Sequence, residues 1–453
     1  MKAAVRLPRK DILNGKIVEQ MMLFLFPVFL GYLIQQLYSI VDNIVLGRLI
    51  SKQALAAVGG SANSLINITL NFIGGITSAI TVLVAQNYGR GNMEKVNRSA
   101  KTGINLSIFL GIFLSILLIL VSPFWLDLMK EPADTRPLSL TYLYFYLASL
   151  SFYFVYQTGV CILRALGDSR RPLLFIGLTA FSKIFLDLLF AGLFKMGVFG
   201  TSLATLLSHA ICAFIILFIF DKTSDVYQRD LKDFSYDKED VKQTFRIGLP
   251  FAIQSMMFAI PNAVIQFKIN SFETDAVAAY SAYNTVDSLF WCFSNALTTA
   301  TITLASQNFG KGNLRRVRKV TLVSIIVEAI GAILFGVLFY FAGRSILLLF
   351  LKDEEPLFIA TRMLKIIAFS YITYAPIDPL TAIFKSCGMT KAPLVIAIFT
   401  ICLTRIAYIT LYPIDDPVMA VFAFPLSWIV TSIVYLLYYF SRKDIFHKEE
   451  IRS

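Results

Sequence analysis

The chain has 453 residues, of which 57% are hydrophobic, and a mean hydropathy of +0.69. One soluble core cannot bury that much apolar side chain, so the composition excludes an ordinary soluble protein and indicates a lipid bilayer as partner. The formal net charge of +12 would suit nucleic acid. However, the basic residues lie in short segments between apolar runs, so no nucleic-acid partner is expected.

Twelve runs are long and apolar enough to cross a bilayer as helices, which takes about 20 residues each. They span 18–46, 54–84, 100–126, 138–163, 172–194, 198–220, 245–270, 276–306, 320–350, 357–384, 393–413 and 418–440. This pattern predicts an all-α integral membrane protein with two six-helix lobes. We place the N-terminal segment at 1–17, the first lobe at 18–220, a linker at 221–244, the second lobe at 245–440 and the tail at 441–453.

An internal repeat supports the two lobes. Residues 86–92 read Gln-Asn-Tyr-Gly-Arg-Gly-Asn, and residues 307–313, 221 positions later, read Gln-Asn-Phe-Gly-Lys-Gly-Asn. The same shift relates 164–167 to 385–388, Arg170 to Lys391 and Pro172 to Pro393. Chance similarity between apolar segments would not keep Gly, Pro and basic residues in step, so the pattern indicates a duplicated, pseudo-symmetric molecule.

The charges between the runs predict the orientation. Basic residues fill the connections after predicted helices two, four, eight, ten and twelve, and acidic residues collect after helices three, seven, nine and eleven. Because Lys and Arg favour the cytoplasmic side, both termini are expected in the cytoplasm of a multi-pass plasma-membrane protein. The five scattered cysteines favour neither disulfides nor a metal site, and the first run lacks a signal-peptide cleavage site.

Ionisable side chains inside the first-lobe helices mark a candidate ion site. Gln35, Tyr38 and Asp42 share one face of helix one, and Lys183 and Asp187 share one face of helix five. Charges at this depth are costly and usually serve a function. Asp42 is an acid at the outer interface, a structural hydrogen-bond acceptor, or a carboxylate whose protonation or cation occupancy controls conformation. Lys183 either forms a structural ion pair that neutralises Asp187, or it is an internal cation whose ion pair is broken when a proton binds to either acid.

Other polar residues suggest further ligands. In the second half Asp42 has no acidic counterpart, because Ile265 and Gln266 occupy that region. Polar side chains occur instead on helices eight, ten and eleven, and Asp378 corresponds to Gln157 by the 221 shift. The predicted cavity residues are Gln35, Tyr38, Gln157, Tyr283, Asp287, Tyr374, Asp378 and Arg405, and Thr205 on helix six is a candidate ion ligand. For Asp378 and Arg405, a buried ion pair that fixes two helices is an equal alternative to a substrate role. For Glu328, the sequence suggests only an ion pair or a side chain that reaches the membrane surface.

These features resemble the multidrug and toxic compound extrusion (MATE) family of secondary transporters. The resemblance rests on Pro27 with 41–43 and Gly47, on 54–59, on 86–91 and 307–312, on 163–168, on 186–187, on 249–250 and on 385–388. It implies two lobes around a central cleft, alternating access, and export of amphipathic, often cationic compounds. Asp42 resembles the helix-one acid of the DinF-like branch and Asp187 its helix-five partner. Asp378 resembles the helix-ten acid of the NorM-like branch.

One departure from the family pattern bears on the coupling ion. Where the DinF-like pattern usually has Asn, four residues before the helix-five Asp, this chain has Lys183. A sodium site at Asp42 and Asp187 would lose a neutral ligand and gain a repelling charge. We therefore expect H+ rather than Na+ as the coupling ion, and no other cofactor.

The resulting functional expectation is a monomeric efflux antiporter, not an enzyme, that exchanges small organic cations for protons. Aromatic side chains with Asp287 or Asp378 would hold such a cation. The first alternative is a flippase for a lipid-linked precursor, which tends to line its cavity with several basic residues. The second is a membrane-embedded transferase, which needs clustered acids or a His/Asp pair, and the adjacent acids Asp415 and Asp416 lie in a short loop. A channel is the third.

Overall fold

A computed structural model describes residues 12–222 and 236–442, and its regular structure in these ranges is helical. Most of the predicted N-terminal segment, the centre of the predicted linker and all but two residues of the predicted tail lie outside the described residues.

The first half contains seven α-helices within residues 12–222. These are α1 (Ile17–Ile44), α2 (Lys52–Ala57), α3 (Asn63–Gly89), α4 (Met93–Leu128), α5 (Arg136–Ala165), α6 (Arg170–Asp187) and α7 (Gly197–Lys222). Short π-helical segments, in which each backbone hydrogen bond spans one residue more than in an α-helix, occupy Val45–Ile50, Val58–Ala62 and Leu188–Leu193. Such segments are rare and occur frequently at functional sites.

The second half contains ten α-helices within residues 236–442. These are α8 (Lys238–Met257), α9 (Ala259–Asn270), α10 (Thr274–Gly310), α11 (Leu314–Leu347), α12 (Glu354–Tyr374), α13 (Ile377–Ser386), α14 (Lys391–Ala397), α15 (Leu403–Leu411), α16 (Pro417–Ala420) and α17 (Ala423–Ser441). A π-helical segment, Ile398–Cys402, joins α14 to α15. Several predicted runs are therefore interrupted helices.

Eleven helical stretches of the described chain are long and apolar enough to cross a membrane. They correspond to all predicted runs except the eighth, which is α10. With 37 residues, α10 is about 55 Å long, well beyond the thickness of a bilayer core. Ser, Thr, Asn and Tyr interrupt its apolar pattern, so its polarity, not its length, sets it apart.

The described residues divide into two compact units, one holding residues 30–249 and the other residues 12–29 with 250–442. The predicted lobe boundary at residue 18 differs from this division, because the first part of α1 packs with the second unit. There the rings of Phe29 and Phe293 lie 6.1 Å apart, edge to face, and Met21 Sδ is 3.9 Å from Ser324 Oγ. Each unit buries its own apolar core.

The repeated loops have the same local structure in both halves. The side chains of Asn92 and Asn313 each accept a bond of 2.9 Å from the backbone amide three residues later, capping α4 and α11. The preceding Gly91 and Gly312 have φ values of 73° and 80°, which favour glycine. Helix capping therefore explains why Gly and Asn recur at a spacing of 221.

Glu131 organises the turn between α4 and α5. Its carboxylate accepts hydrogen bonds from Ser61 (2.6 Å), Ser139 (2.8 Å) and Thr135 (2.9 Å). Ser61 follows Gly60, whose backbone leaves the helical region inside the π-helical segment. Partial burial alone would raise the pKa of Glu131, but these hydroxyl donors outweigh it and lower the pKa below its ordinary value. The ionised carboxylate thus holds the bend before α3.

We expect Glu131→Gln to lower stability in detergent by about 1 kcal/mol at neutral pH, because it weakens charge-assisted bonds. A lowered folded pKa stabilises the chain above the unfolded value and loses that contribution as the pH falls below about 4.5. Thermal unfolding from pH 7 to pH 3.5 should show the difference between the two proteins shrinking toward acid. Asp127→Asn is the control, since the Asp127–Arg136 pair is exposed. A pH-independent difference would contradict this role.

Candidate functional site

Three ionisable side chains of the first unit form a buried cluster. The Lys183 ammonium donates to Asp42 Oδ1 at 2.7 Å and to Asp187 Oδ2 at 2.5 Å. The side chains of Lys183, Asp42 and Asp187 are 5%, 15% and 2% exposed. We call Asp42, Lys183 and Asp187 the acid–lysine cluster. One cation thus holds two carboxylates that come from helices far apart in the sequence.

Local helix geometry positions the acid–lysine cluster. Lys183 and Asp187 are four residues apart on α6 and so share one face, while Asp42 lies in the last turn of α1. Directly after Asp187, and three residues after Asp42, the chain enters a π-helical segment. Both acids therefore precede points where the helical bonding changes register.

The acid–lysine cluster is incompletely neutralised. With all three groups ionised, two carboxylates face one ammonium and the net charge is −1. Asp187 Oδ1 is buried and has no hydrogen-bond partner among the residues that the structure describes, although the Asp42 carboxyl lies close to Asp187. Because a buried, unpaired charge is costly, the site favours taking up one further positive charge at this oxygen.

The other site residues predicted for the first half differ in how they relate to the acid–lysine cluster. Tyr38 interacts electrostatically with all three members of the cluster and is half-buried. Gln35, one turn earlier on α1, and Gln157 on α5 are also half-buried. Thr205 donates within its own helix to Thr201 O at 3.0 Å. The hydrogen bonds of the described residues therefore do not join Thr205 to the acid–lysine cluster.

In the second unit, Asp287 lies against an aromatic cluster. Its carboxylate accepts from Trp291 Nε1 at 2.6 Å and from the Tyr371 hydroxyl. The rings of Trp291 and Tyr374 lie 4.9 Å apart, edge to face, and Trp428 lies 5.5 Å from Tyr374. Predicted Tyr283 is buried one turn before Asp287 and packs on Tyr280 at 5.7 Å. A negative charge surrounded by aromatic faces is suited to an organic cation.

The suggested ion pair between Asp378 and Arg405 is wrong. Asp378, which is half-buried, accepts from the hydroxyls of Tyr374 (2.7 Å) and Ser294 (2.8 Å). The Arg405 guanidinium donates to Asn262 Oδ1 at 2.7 Å and to Ser427 Oγ at 2.9 Å. It also stacks over the Phe424 ring at 4.5 Å. Neutral amide and hydroxyl acceptors with an aromatic face hold the arginine, so no acid is needed beside it.

Sequence reasoning did not select several residues that complete these sites. Trp291 and Tyr371 hold Asp287, and Ser294 helps to hold Asp378. Trp291 had a signal, because it lies four residues after Asp287 on the same helix face. Tyr371 and Ser294 come from helices adjacent only in the folded unit, so spacing along the chain does not reveal them.

Comparisons with known proteins agree with this architecture. The MatE family model matches residues 27–189 and 250–411. Two probable multidrug resistance proteins of Bacillus subtilis (strain 168) are similar to the chain. YoeA is 31% identical over 84% of each chain, and YpnP is 26% identical over 89% of this chain and 90% of its own. A solved outward-facing multidrug resistance MATE transporter of the MOP superfamily shares the fold, with a TM-score of 0.90, 20% identity and coverage of 98% and 99%.

We expect Lys183→Met to destabilise the protein by about 3 kcal/mol at neutral pH, because it leaves two buried carboxylates without their cation. Thermal unfolding in detergent measures the loss. The double variant Lys183→Met/Asp187→Asn should recover much of it, since only one carboxylate then remains. Lys352→Met, at an exposed lysine, is the matched control. A double variant less stable than Lys183→Met would contradict the charge balance described here.

Proposed function

Since the chain belongs to the MatE family of multi-pass membrane transporters, we propose that it exports amphipathic organic cations across the plasma membrane in exchange for protons. The two relatives from Bacillus subtilis are named as probable multidrug resistance proteins, which supports the substrate class. The observation that carries the proposal is one ammonium shared by two buried carboxylates.

Proton uptake would rearrange the acid–lysine cluster. When a proton binds Asp187 or Asp42, that residue becomes neutral and its ion pair with Lys183 is lost. Lys183 then pairs with the remaining carboxylate alone, and the net charge of the cluster changes from −1 to zero. Because α1 and α6 are joined through this ammonium, each protonation state favours its own arrangement of the two helix ends. The adjacent π-helical segments give these ends room to change register.

A proton suits this site better than sodium. Transported Na+ is coordinated by several oxygen atoms, whereas the Lys183 ammonium already occupies the space between the two carboxylates. Within the described ranges, no group of three or more His, Cys, Asp or Glu residues is arranged to hold a metal ion. A proton needs one carboxylate oxygen, and within the described part of the chain no group donates a hydrogen bond to Asp187 Oδ1.

The substrate site of the proposal is Asp287 with its aromatic neighbours. Trp291 is half-buried beside Asp287 and offers both an indole N–H to the carboxylate and a ring face to a cation. The flippase alternative calls for several basic side chains to bind pyrophosphate. In the second unit Arg405 is already bound by Asn262 and Ser427. The geometry therefore favours a cationic substrate over an anionic one.

The proposal predicts that an imposed proton gradient drives uptake of a fluorescent organic cation into proteoliposomes, while a sodium gradient of equal size does not. Asp42→Asn should lose the proton-driven uptake. In this variant Asp187 pairs with Lys183, the net charge of the pair is zero, and the affinity for a further proton is lost. Asp127→Asn, which removes the exposed ion pair between the end of α4 and the start of α5, should behave as the wild type. Wild-type uptake that ignores both gradients would overturn the proposal.

Lys183→Asn tests the ion preference directly. Removing the ammonium and supplying an amide oxygen leaves two carboxylates with a neutral ligand, which suits a monovalent metal cation. We expect sodium-driven uptake to emerge in this variant under the same conditions. Uptake by Lys183→Asn with the ion dependence of the wild type would show that the lysine does not set the preference.

A further inference from the structure

We infer that Glu328 in the second unit is a proton-binding site separate from the acid–lysine cluster, and that it is occupied by a proton in this conformation. Its part in transport rests on the proposed proton coupling, whereas its occupancy does not. Glu328 lies 14 residues into α11, about 21 Å from the helix start. Its side chain therefore lies deep within a span that is apolar enough to cross a membrane.

Burial of Glu328 requires the neutral acid. The residue is fully buried, and neither carboxyl oxygen has a hydrogen-bond partner among the residues that the structure describes. No ion pair of the described chain includes it. A bare carboxylate in such a place costs several kcal/mol and takes up a proton instead. The surroundings of Glu328 therefore favour the protonated acid, and the described residues offer no donor or cation that would stabilise the carboxylate after H+ leaves.

The groups that face Glu328 favour the same assignment. Asp378 on α13 interacts with it electrostatically, as does the Tyr374 phenol on α12. The Ser294 hydroxyl of α10 would favour the charged form of Glu328 as a donor, but it donates to Asp378 at 2.8 Å instead. Tyr374 and Ser294 both donate to Asp378, so Asp378 is the better stabilised anion of the two. Two neighbouring carboxylates cannot both be charged at low cost. The proton therefore belongs on Glu328. The lysine of α13, Lys385, interacts electrostatically with Asp378.

The internal repeat shows that this acid pair belongs to the second half alone. By the 221 shift, Glu328 corresponds to Ser107 and Asp378 to Gln157. Conversely, Asp187 of the acid–lysine cluster corresponds to Tyr408, and Asp42 has no acidic counterpart. The Asp42–Asp187 pair of the first half and the Glu328–Asp378 pair of the second half thus lie on helices that the repeat does not relate. A buried acid without partners is costly to keep and is usually functional.

The proposed step is a simple protonation. In loading, one carboxylate oxygen of Glu328 gains a proton and an O–H bond forms. In unloading, that bond breaks and the proton passes to Asp378 or to water in a conformation that opens the site. Transport would then move one proton through the second unit in addition to the proton of the acid–lysine cluster.

Glu328→Gln is the decisive variant, because the amide resembles the neutral acid in size and cannot titrate. Infrared difference spectra of the detergent-purified protein should show a buried carboxylic-acid carbonyl band that is absent in Glu328→Gln and present in Asp42→Asn. In proteoliposomes the variant should exchange one proton fewer per organic cation. At 100 mV this lowers the limiting accumulation ratio roughly fifty-fold. Asp127→Asn should leave both readings unchanged.

The outcomes separate the two claims. An unchanged carbonyl band in folded Glu328→Gln overturns the proton site, and a lost band with an unchanged proton count overturns its part in transport. If Glu328→Gln does not fold, Glu328→Asp serves instead, and the band must shift in frequency for the assignment to stand. If wild-type transport ignores proton gradients, the proposed function fails while the infrared band still decides whether Glu328 holds a proton.

Discussion

The acid–lysine cluster depends on one constraint: a lysine placed in an apolar helix must be accompanied by negative charge. Lys183 meets this requirement with two carboxylates, Asp42 at 2.7 Å and Asp187 at 2.5 Å. The excess of one negative charge follows directly, and with it the affinity for a proton. A single acid would have made an inert ion pair, and no lysine would have left a site open to metal cations. In the proposed function, the number of acids per lysine therefore decides whether the cluster can respond to an ion gradient.

The repeat explains the scaffold but not the chemistry. Capping Asn and positive-φ Gly recur in both halves because each lobe needs the same turns between its helices. Positive φ favours Gly, and Asn is among the preferred N-cap residues, which accounts for their recurrence in both halves. Buried polar groups are constrained differently, because a costly acid persists only where it has a use. The acids accordingly lie at positions that the repeat does not relate: on α1 and α6 in one half, and on α10, α11 and α13 in the other.

The sequence predicts the helices and membrane spans of this structure better than it predicts contacts between distant residues. The helical class and the membrane spans follow from the lengths of the apolar runs, and the duplication follows from the repeated loop residues. All of these are local properties of the sequence. The pairing of Asp42 with α6 through Lys183 depends on a contact across 141 positions. Spacing predicts only that Lys183 and Asp187 share a face. The supposed Asp378–Arg405 pair failed for the same reason: opposite charges along the chain do not reveal Asn262 or Ser427 as the nearer partners. Residues 18–29 were assigned to the first lobe because chain order, not packing, set that boundary.

The positive charge of Lys183 also bears on how proton and substrate would compete. An organic cation entering the acid–lysine cluster would meet an ammonium at the point where the two carboxylates converge, so direct displacement of the proton there is unfavourable. Asp287 offers the opposite: a carboxylate held by an indole N–H and a phenol, with aromatic faces beside it. In the proposed function, proton and substrate therefore bind different carboxylates. Exchange then requires conformations that differ in affinity for each ligand.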